Sequence, residues 1–283
     1  MPPNHQMTIL EHTFIHLGLV SSHEERSLWG EGVRTIDDLI KRSPGCRDEK
    51  VAKAIAKTKR ALEERDHVFF AKALPKDQLF RVAVAYPQET AFLDIETTGL
   101  SRTRNQITIV GWTLGEAFKV IVYGRDDPAE LYDDLAKSKA LVTFNGTSFD
   151  LPFLKSAFPD LGFPLAHVDL RYLCKSLNLV GGQKSIERQI GLCRHEGQGD
   201  GLMAVALWNE YKYGRGRGQR AQALKDLIIY NFADVNSMKH IFDACLEKMA
   251  DQGHLPLRYD HHFRALCFKP DFYNSFPFSL EPF

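Results

Sequence analysis

Cysteine is scarce in this chain, and its spacing excludes the sites that depend on it. The 283 residues contain five cysteines, widely scattered and without a Cys-x-x-Cys pair. An odd number of separated cysteines does not suit a disulfide framework, and thiolate zinc sites need ligands grouped at short spacing. We therefore expect reduced thiols and a cytoplasmic protein.

Long apolar runs and net charge are also missing. No stretch is apolar for long enough to span a bilayer, and the first residues lack the charged and apolar regions of a signal peptide. The 36 basic residues balance 36 acidic ones, so the chain as a whole does not attract a polyanion. A nucleic-acid site would have to come from a local basic patch or from a bound metal.

Three regions of the chain differ in composition. Residues 1–80 carry apolar side chains at mostly helical spacings, and the segment Ser21–Glu25 is typical of a capped helix start. Residues 81–252 alternate β-prone and helical segments. Residues 253–283 are rich in proline and aromatic residues. We expect this apolar tail to pack on its own domain or on a second copy of the chain, as a possible contact in a homo-oligomer.

The segment from His16 to Leu39 is typical of two short helices around a glycine turn. Helix-hairpin-helix modules have this order, and backbone N–H groups at a helix N-terminus can grip a phosphate. Such a hairpin usually has a second glycine two places after the first, whereas Gly18 is followed by Leu19 and Val20. A helical cap that packs on the main domain is the alternative, and the sequence leaves both open.

Residues 81–252 predict an α/β fold. Three β-prone segments come first, and Gly115-Glu116, between the second and the third, is typical of a hairpin turn. A helix, a strand, a helix and a strand follow, which predicts a mixed five-stranded sheet with helices on its faces. Val82–Tyr86, before the sheet, is interpreted as a strand or a loop. The predicted strands are Ala91–Glu96, Ile107–Leu114, Ala117–Tyr123, Ala140–Phe144 and Ala166–Leu170, and the predicted helices are Asp127–Lys139, Phe149–Phe158, Leu202–Tyr213 and Ala221–Met249.

Two carboxylates lie on the first predicted strand of the sheet. Because side chains alternate along a strand, Asp94 and Glu96 point to the same face. Buried like charges repel and are costly to desolvate, and a hard divalent cation with oxygen ligands offsets them. The alternative for an isolated Asp-x-Glu pair is an edge strand with two solvated acids.

Further acids follow on two predicted helices. Asp150 comes at the start of the helix after the fourth strand, where the helix dipole favours an acid even without a function. Tyr230 and Asp234 are four residues apart and share one side of the long helix. Taken alone, that pair is typical of a helix surface.

Basic residues near these acids are candidates for contacts with phosphate. Lys184 stands in Gly181–Gly191, which predicts a loop, a helix and a C-terminal glycine. Arg215 and Arg217 stand between glycines, which predicts a flexible basic loop suited to a phosphate backbone. Solvated side chains on a mobile surface are the alternative for all three.

Together, the acids resemble those of a known enzyme family. Asp94-x-Glu96, then Asp150, then Tyr230-x-x-x-Asp234 come in the order and on the elements typical of the DEDD superfamily of 3′–5′ exonucleases, which has a ribonuclease H-like fold. The tyrosine four residues before the last aspartate is similar to the DEDDy branch.

The neighbouring sequence is similar to one group within that branch, the YprB-like predicted exonucleases. The similarity covers roughly residues 10–250, including the segment His16–Leu39. The segments that carry it are Gly181–Gly191, Gly199–Leu202, Ala206–Trp208 and Tyr230–Asp234. The missing second glycine near Gly18 and the tail beyond residue 252 depart from the family.

This resemblance implies a two-metal mechanism with Mg²⁺ or Mn²⁺. Asp94, Glu96 and Asp234 would hold one ion, Asp94 would bridge to a second, and Asp150 would help the second ion. Tyr230 would orient the attacking water. The residues that would seat the terminal nucleotide or line the same cleft are Thr97, Thr98, Gly99, Leu100, Asn145 and Phe149.

The sequence therefore predicts a metal-dependent 3′–5′ exonuclease that acts on single-stranded or frayed DNA or RNA. A structure-specific endonuclease on the same fold and a nucleic-acid-binding module without activity are the alternatives. Loss of the acids would have favoured the binding module, and all of them are present.

Overall fold

A five-stranded mixed sheet forms the centre of the computed structural model, which describes residues 8–42, 48–192, 201–259 and 262–263. Strand β1 lies in the middle of the order β3-β2-β1-β4-β5. It pairs with β2 in the antiparallel sense and with β4 in the parallel sense. The predicted α/β fold is confirmed. The strands are β1 Thr90–Thr97, β2 Ile107–Leu114, β3 Ala117–Val122, β4 Ala140–Thr143 and β5 Ala166–Asp169.

The central strand is buried on both faces because helices cover both sides of the sheet. Leu93 and Ile95 pack into the cluster that contains helix residues Leu131 and Leu154. Phe92 points the other way, into the cluster that contains Phe242. Since the faces alternate, the two carboxylates of β1 share the Phe92 face and meet the long C-terminal helix.

The described residues contain eleven α-helices, and none of them is long and apolar enough to cross a membrane. Those predicted around the sheet are found within a few residues of their predicted limits. The helices are α1 Ser22–Gly30, α2 Ile36–Arg42, α3 Glu49–Glu63, α4 His67–Ala73, α5 Phe80–Ala85, α6 Ala129–Lys137, α7 Asp150–Ala157, α8 Leu170–Ser176, α9 Gln183–Gln189, α10 Gly201–Tyr213 and α11 Arg217–Asp251.

The interpretation of Val82–Tyr86 as a strand or a loop is wrong. Residues 80–85 form α5, and every side chain from Phe80 to Val84 is buried. A helix that is covered on all sides shows no helical period of apolar residues. The β-branched valines by themselves favour a strand, but packing against the sheet and the first turns of the chain stabilises a helix instead.

The prediction of a flexible basic loop at residues 212–220 is also wrong. Helix α10 ends at Tyr213 and α11 begins at Arg217, so the connection has only three residues, 214–216. Glycine is tolerated in the first turn of α11, since those N–H groups have no partner within the helix in any case. Arg220 Nε donates to the carbonyl oxygen of Tyr211 at 2.7 Å, which ties the two helices together.

The N-terminal helices are joined to the sheet layer through a buried ion pair. Glu25 of α1 and Arg81 of α5 are 0% and 3% exposed and lie 2.6 Å apart. The other oxygen of Glu25 accepts from the backbone N–H groups of Phe14 and Ile15. The predicted start of α1 is confirmed, because the side chain of Ser21 caps its first turn.

Gly18, which precedes α1 in the region where the sequence suggests a helix-hairpin-helix, has a left-handed backbone at φ +67°. It ends a short 3₁₀ turn and is followed by the cap of α1. Part of this region shares a core with the sheet, since Leu10 and Phe70 belong to the same cluster as Phe92. Trp29 of α1 and Ile36 of α2 pack in a separate cluster. The division into residues 1–80 and 81–252 stays a prediction.

Most of the C-terminal tail lies outside the described residues. Where it is described, Phe263 is buried and stacks on Phe242 of α11 at a ring distance of 4.6 Å. This part packs on its own chain. The segment Gly199–Leu202 is described only from residue 201.

Candidate metal centre

Three carboxylates from two elements converge on the α11 face of the sheet. Asp94 and Glu96 come from β1, and Asp234 comes from the middle of α11. One oxygen atom of each lies within 4.8 Å of those of the other two. Such a separation is suited to a divalent cation held by oxygen ligands.

The electrostatics of this cluster favour a cation. Glu96 is 8% exposed and Asp234 is 9% exposed. Burial, followed by the negative charge of Asp234, raises the pKa of Glu96 well above its ordinary value. Glu96 Oε1 is buried and has no hydrogen-bond partner among the described residues. A buried carboxylate oxygen that lacks a donor is costly, so these residues fit a divalent ion as the missing partner.

Asn231, which the sequence analysis missed, orients the first of these carboxylates. Its Nδ2 donates to Asp94 Oδ2 at 2.8 Å. Space for it comes from Gly111, which pairs with Asp94 across β1 and β2. A Cβ atom at position 111 would lie 1.8 Å from Asn231 Oδ1. A glycine within a strand is a known sign of close approach by another group, so this signal was available in the sequence.

Asp150 lies beside the cluster but is not one of its three members. It is the first residue of α7, is 2% exposed, and its Oδ1 accepts from the backbone N–H of Ile95 at 3.2 Å. Ile95 stands between the two acids of β1. Burial raises the pKa of Asp150 to about 7, and the negative charges of Asp169 and Asp234 act in the same direction.

Tyr230 and Lys184 form a contact next to the carboxylates. Lys184 Nζ donates to the hydroxyl of Tyr230 at 2.7 Å and lies 4.4 Å from the centre of its ring. Tyr230 is 5% exposed, so the pair is not on a helix surface. The positive charge of Lys184 acts against the raised pKa of Glu96. Lys184 is therefore directed into the site and not into solvent.

Helix α9 holds the turn of α11 that carries Asp234. Gln183 Nε2 donates to the carbonyl oxygen of Asp234 at 2.7 Å and to Ser237 Oγ at 2.8 Å. Ser237 Oγ in turn donates to the buried Glu187 at 2.6 Å. The sequence pattern does not reveal these contacts: Gln183 and Glu187 stand in an ordinary short helix, and Ser237 stands on another helix about 50 residues further along.

The segment after β1 forms a tight turn at the edge of the cluster. Thr97 Oγ1 donates to the carbonyl oxygen of Gly99, and Thr98 is tied to Gln106 by two hydrogen bonds. Gly99 has φ +155°, and a Cβ there would lie 2.8 Å from the side chain of Asn105. Leu100 follows with 87% of its surface exposed.

Asn145 and Phe149 border the helix that carries Asp150. Asn145 has a left-handed backbone at φ +63°, and its Oδ1 accepts from Arg171 Nη1 at 2.6 Å. Phe149 directly precedes α7 and is half-buried against Phe153, with 5.0 Å between the rings.

Arg215 and Arg217 are exposed at the start of α11, remote from the carboxylates. Thirteen residues of helix separate Arg217 from Tyr230, which is about 20 Å at about 1.5 Å per residue. These arginines are not brought together with the acids.

Comparison with known proteins places this fold and cluster in a family. A sequence model of the RNase H superfamily matches residues 91–246, which is more than half of the chain and contains every strand of the sheet. The chain belongs to the RNase H superfamily. The match also contains all three clustered acids, as well as Asp150 and Tyr230. Membership of this superfamily and a buried acidic cluster together suggest a nuclease.

One solved structure similar to this superfamily member is the family B DNA polymerase from the hyperthermophilic archaeon Pyrobaculum calidifontis. The similarity has 18% sequence identity and a TM-score of 0.40, and covers 58% of this chain. The chain corresponds to about a quarter of the polymerase, 26% of its length. Comparison with curated proteins finds no match.

Proposed function

We propose that this protein is a metal-dependent 3′–5′ exonuclease of the DEDDy branch, of the YprB-like kind, acting on single-stranded or frayed DNA or RNA. The observation that carries the proposal is the convergence of Asp94, Glu96 and Asp234 within 4.8 Å, with one buried oxygen of Glu96 lacking a donor. These three carboxylates would hold one Mg²⁺ or Mn²⁺, and Asp94 with Asp150 would hold a second.

When bound, two such cations would supply electrostatic stabilisation of the attacking and leaving oxygens of an in-line displacement at phosphorus. The chain supplies the ligands and their alignment. Asn231 holds the Asp94 carboxylate through a 2.8 Å hydrogen bond, and Gln183 holds the backbone of Asp234. Such partners fix ligand orientation, and their loss typically weakens metal binding by about 10–100-fold.

Tyr230 and Lys184 would position the attacking water. Tyr230 would act by hydrogen bonding through its hydroxyl group. The Lys184 ammonium group donates to the Tyr230 hydroxyl, which holds the lone pairs and the proton of that hydroxyl in one orientation. The positive charge of Lys184 would also lie close to the substrate phosphate at the acidic cluster.

The turn after β1 and the segment before α7 would hold the terminal nucleotide. Gly99 allows close approach of the backbone, and the exposed Leu100 offers an apolar surface to a base. Thr97 and Thr98 shape the same turn. Asn145 and Phe149 would complete the cleft from the α7 side, while Arg215 and Arg217 would contact the phosphate backbone further away.

A labelled-end assay tests this proposal. Single-stranded DNA and RNA oligonucleotides of one sequence, labelled at the 5′ end, are incubated with Mg²⁺ or Mn²⁺. We expect stepwise shortening from the 3′ end, and we expect Asp94→Ala to abolish it. The control is Asp134→Asn, because Asp134 is a buried carboxylate bonded to Trp112 and Lys119 on the opposite face of the sheet.

Three outcomes of the assay argue against the proposal. Cleavage by Asp94→Ala at the parent rate would remove the carboxylates from the chemistry. Internal cuts in an oligonucleotide with a blocked 3′ end would favour the endonuclease alternative. Binding of an oligonucleotide without any cleavage, in either metal, would favour the binding module.

A further inference from the structure

A fourth aspartate, outside the acidic cluster, holds the segment that delivers Asp150. Asp169 ends β5, and β5 pairs with β4 at the edge of the sheet. Its Oδ1 accepts from the backbone N–H of Asn145 at 2.8 Å, and its Oδ2 accepts from that of Thr147 at 3.0 Å. Asp169 is 8% exposed. Two oxygens of one buried carboxylate therefore bind the loop between β4 and α7.

This loop, residues 144–149, adopts a backbone that needs such support. Asn145 has φ +63°, a conformation that is unfavourable for most residues with a side chain. Gly146 packs so tightly that a Cβ there would lie 2.1 Å from Thr143 Oγ1. Asp169 and Arg171 hold this conformation through their hydrogen bonds to Asn145.

The loop leads without a break into the first turn of α7. Leu151 N donates to the carbonyl oxygen of Gly146, so the loop and the turn that carries Asp150 are hydrogen-bonded to one another. Asp150 in turn accepts from Ile95, between the two acids of β1. A shift of the loop would therefore move Asp150 away from the cluster.

An ordinary structural role accounts for only one of the contacts of Asp169. Its Oδ1 also accepts from the backbone N–H of Arg171, which caps the start of α8. A helix cap needs that bond alone. The bonds to Asn145 and Thr147, in a different element, are not needed for capping.

We infer that Asp169 is a positioning residue, which sets the place of Asp150 by holding the β4–α7 loop and thereby tunes the second metal site. The inference rests on the proposed function for the role of Asp150. Asp169 itself touches neither metal nor substrate. In Asp169→Asn, an amide group faces the N–H of Thr147, so one of the two loop bonds is replaced by a clash between donors.

The test is a titration with Mn²⁺ alone, in which free Mn²⁺ is followed by electron paramagnetic resonance, on the parent, Asp169→Asn and Asp134→Asn. We expect Asp169→Asn to weaken the more weakly bound ion about 10-fold or more, as the loss of a group that orients a ligand does. Asp134→Asn should bind Mn²⁺ as the parent does while losing thermal stability. In the oligonucleotide assay, excess Mn²⁺ should restore the rate of Asp169→Asn but not that of Asp150→Ala.

Two results would overturn the inference. One is Mn²⁺ affinity for both ions within twofold of the parent in Asp169→Asn. The other is a rate defect in Asp169→Asn that excess Mn²⁺ leaves unchanged. A parent protein that binds Mn²⁺ but cleaves no oligonucleotide contradicts the proposed function only, because the titration then still decides whether Asp169 tunes the site. A parent that binds no Mn²⁺ contradicts both.

Discussion

Tyr230 differs from an ordinary core tyrosine because its hydroxyl accepts from Lys184, a lysine whose positive charge also acts on Glu96. Replacing it by phenylalanine keeps the buried ring and removes only the oxygen that accepts from Lys184. Loss of a positioned proton-handling group typically slows turnover by about 10²-fold or more. We expect Tyr230→Phe to lower kcat by roughly 10²-fold, at a melting temperature close to that of the parent. An unchanged kcat, measured with a labelled oligonucleotide, would remove Tyr230 from the chemistry.

Gly111 is a second residue at which a single added carbon atom is expected to disturb the site. In Gly111→Ala the new methyl group would lie 1.8 Å from Asn231 Oδ1, so the asparagine must move and release Asp94. Overpacking of this kind costs about 1–3 kcal/mol. We expect lower stability in urea denaturation and weaker activation by Mg²⁺.

A glycine in open surroundings is the matched control for that substitution. Gly218, in the first turn of α11, has no atom near the position of a Cβ, so Gly218→Ala should leave activation by metal unchanged. Equal metal dependence in the two variants would mean that Asn231 does not orient Asp94.

At the scale of elements, carboxylates of like charge lie where strand β1 packs against helix α11. Three carboxylates within 4.8 Å of one another repel in the absence of a cation. Glu96→Gln keeps the shape and removes one charge. We therefore expect it to raise the melting temperature in EDTA by about 2–4 °C, which corresponds to about 1 kcal/mol in a domain of this size.

In the presence of metal, Glu96→Gln should instead have a lower melting temperature than the parent, because it loses a metal ligand. A ligand that binds only the folded state at 100 times its Kd stabilises that state by about 2.7 kcal/mol. We expect Mn²⁺ to raise the melting temperature of the parent, and to raise that of Glu96→Gln much less. A lower melting temperature of Glu96→Gln in EDTA would show that the carboxylate stabilises the junction without metal. Asp134→Asn should be destabilised in both conditions, because Asp134 accepts from Lys119 and Trp112.

For the whole molecule, partly buried histidines predict sensitivity to acid. His16 lies between Thr58 and the rings of Phe69 and Phe70. Burial, and then the positive charge of Arg81, lower the pKa of His16 to about 4. Burial also lowers the pKa of His167. The folded chain therefore stays neutral at these positions while the unfolded chain takes up protons.

The sign of the pH dependence follows from this difference. Because the folded pKa is depressed, stability is fully present above pH 6.5 and falls as the pH drops towards about 4. The loss due to His16 is at most about 3.5 kcal/mol, at about 1.4 kcal/mol for each of the 2.5 units between pH 6.5 and 4. We expect urea denaturation to show a smaller loss between pH 6.5 and 4.5 in His16→Gln than in the parent. Equal losses would assign the acid sensitivity to other groups.

How far the sequence predicts the site depends on the kind of contact. Alternation with a period of two residues predicts the strand that carries Asp94 and Glu96. A period of about four residues predicts the helix that carries Tyr230 and Asp234. Their meeting required tertiary structure, since nothing local joins two segments about 140 residues apart. The interpretation of α5 was wrong for a related reason: a helix covered on all sides has lost the period that identifies it.

The sequence by itself determined the order of the strands, the order of the helices around the sheet and the shared face of the two acids of β1. Those properties depend on backbone geometry and on neighbours along the chain. Only the tertiary structure decided which partners hold the acids. Asn231 fits because Gly111 lacks a side chain, Lys184 is directed to Tyr230, and Asp169 supports the loop before Asp150. These contacts depend on packing between distant segments, which no local pattern of residues encodes.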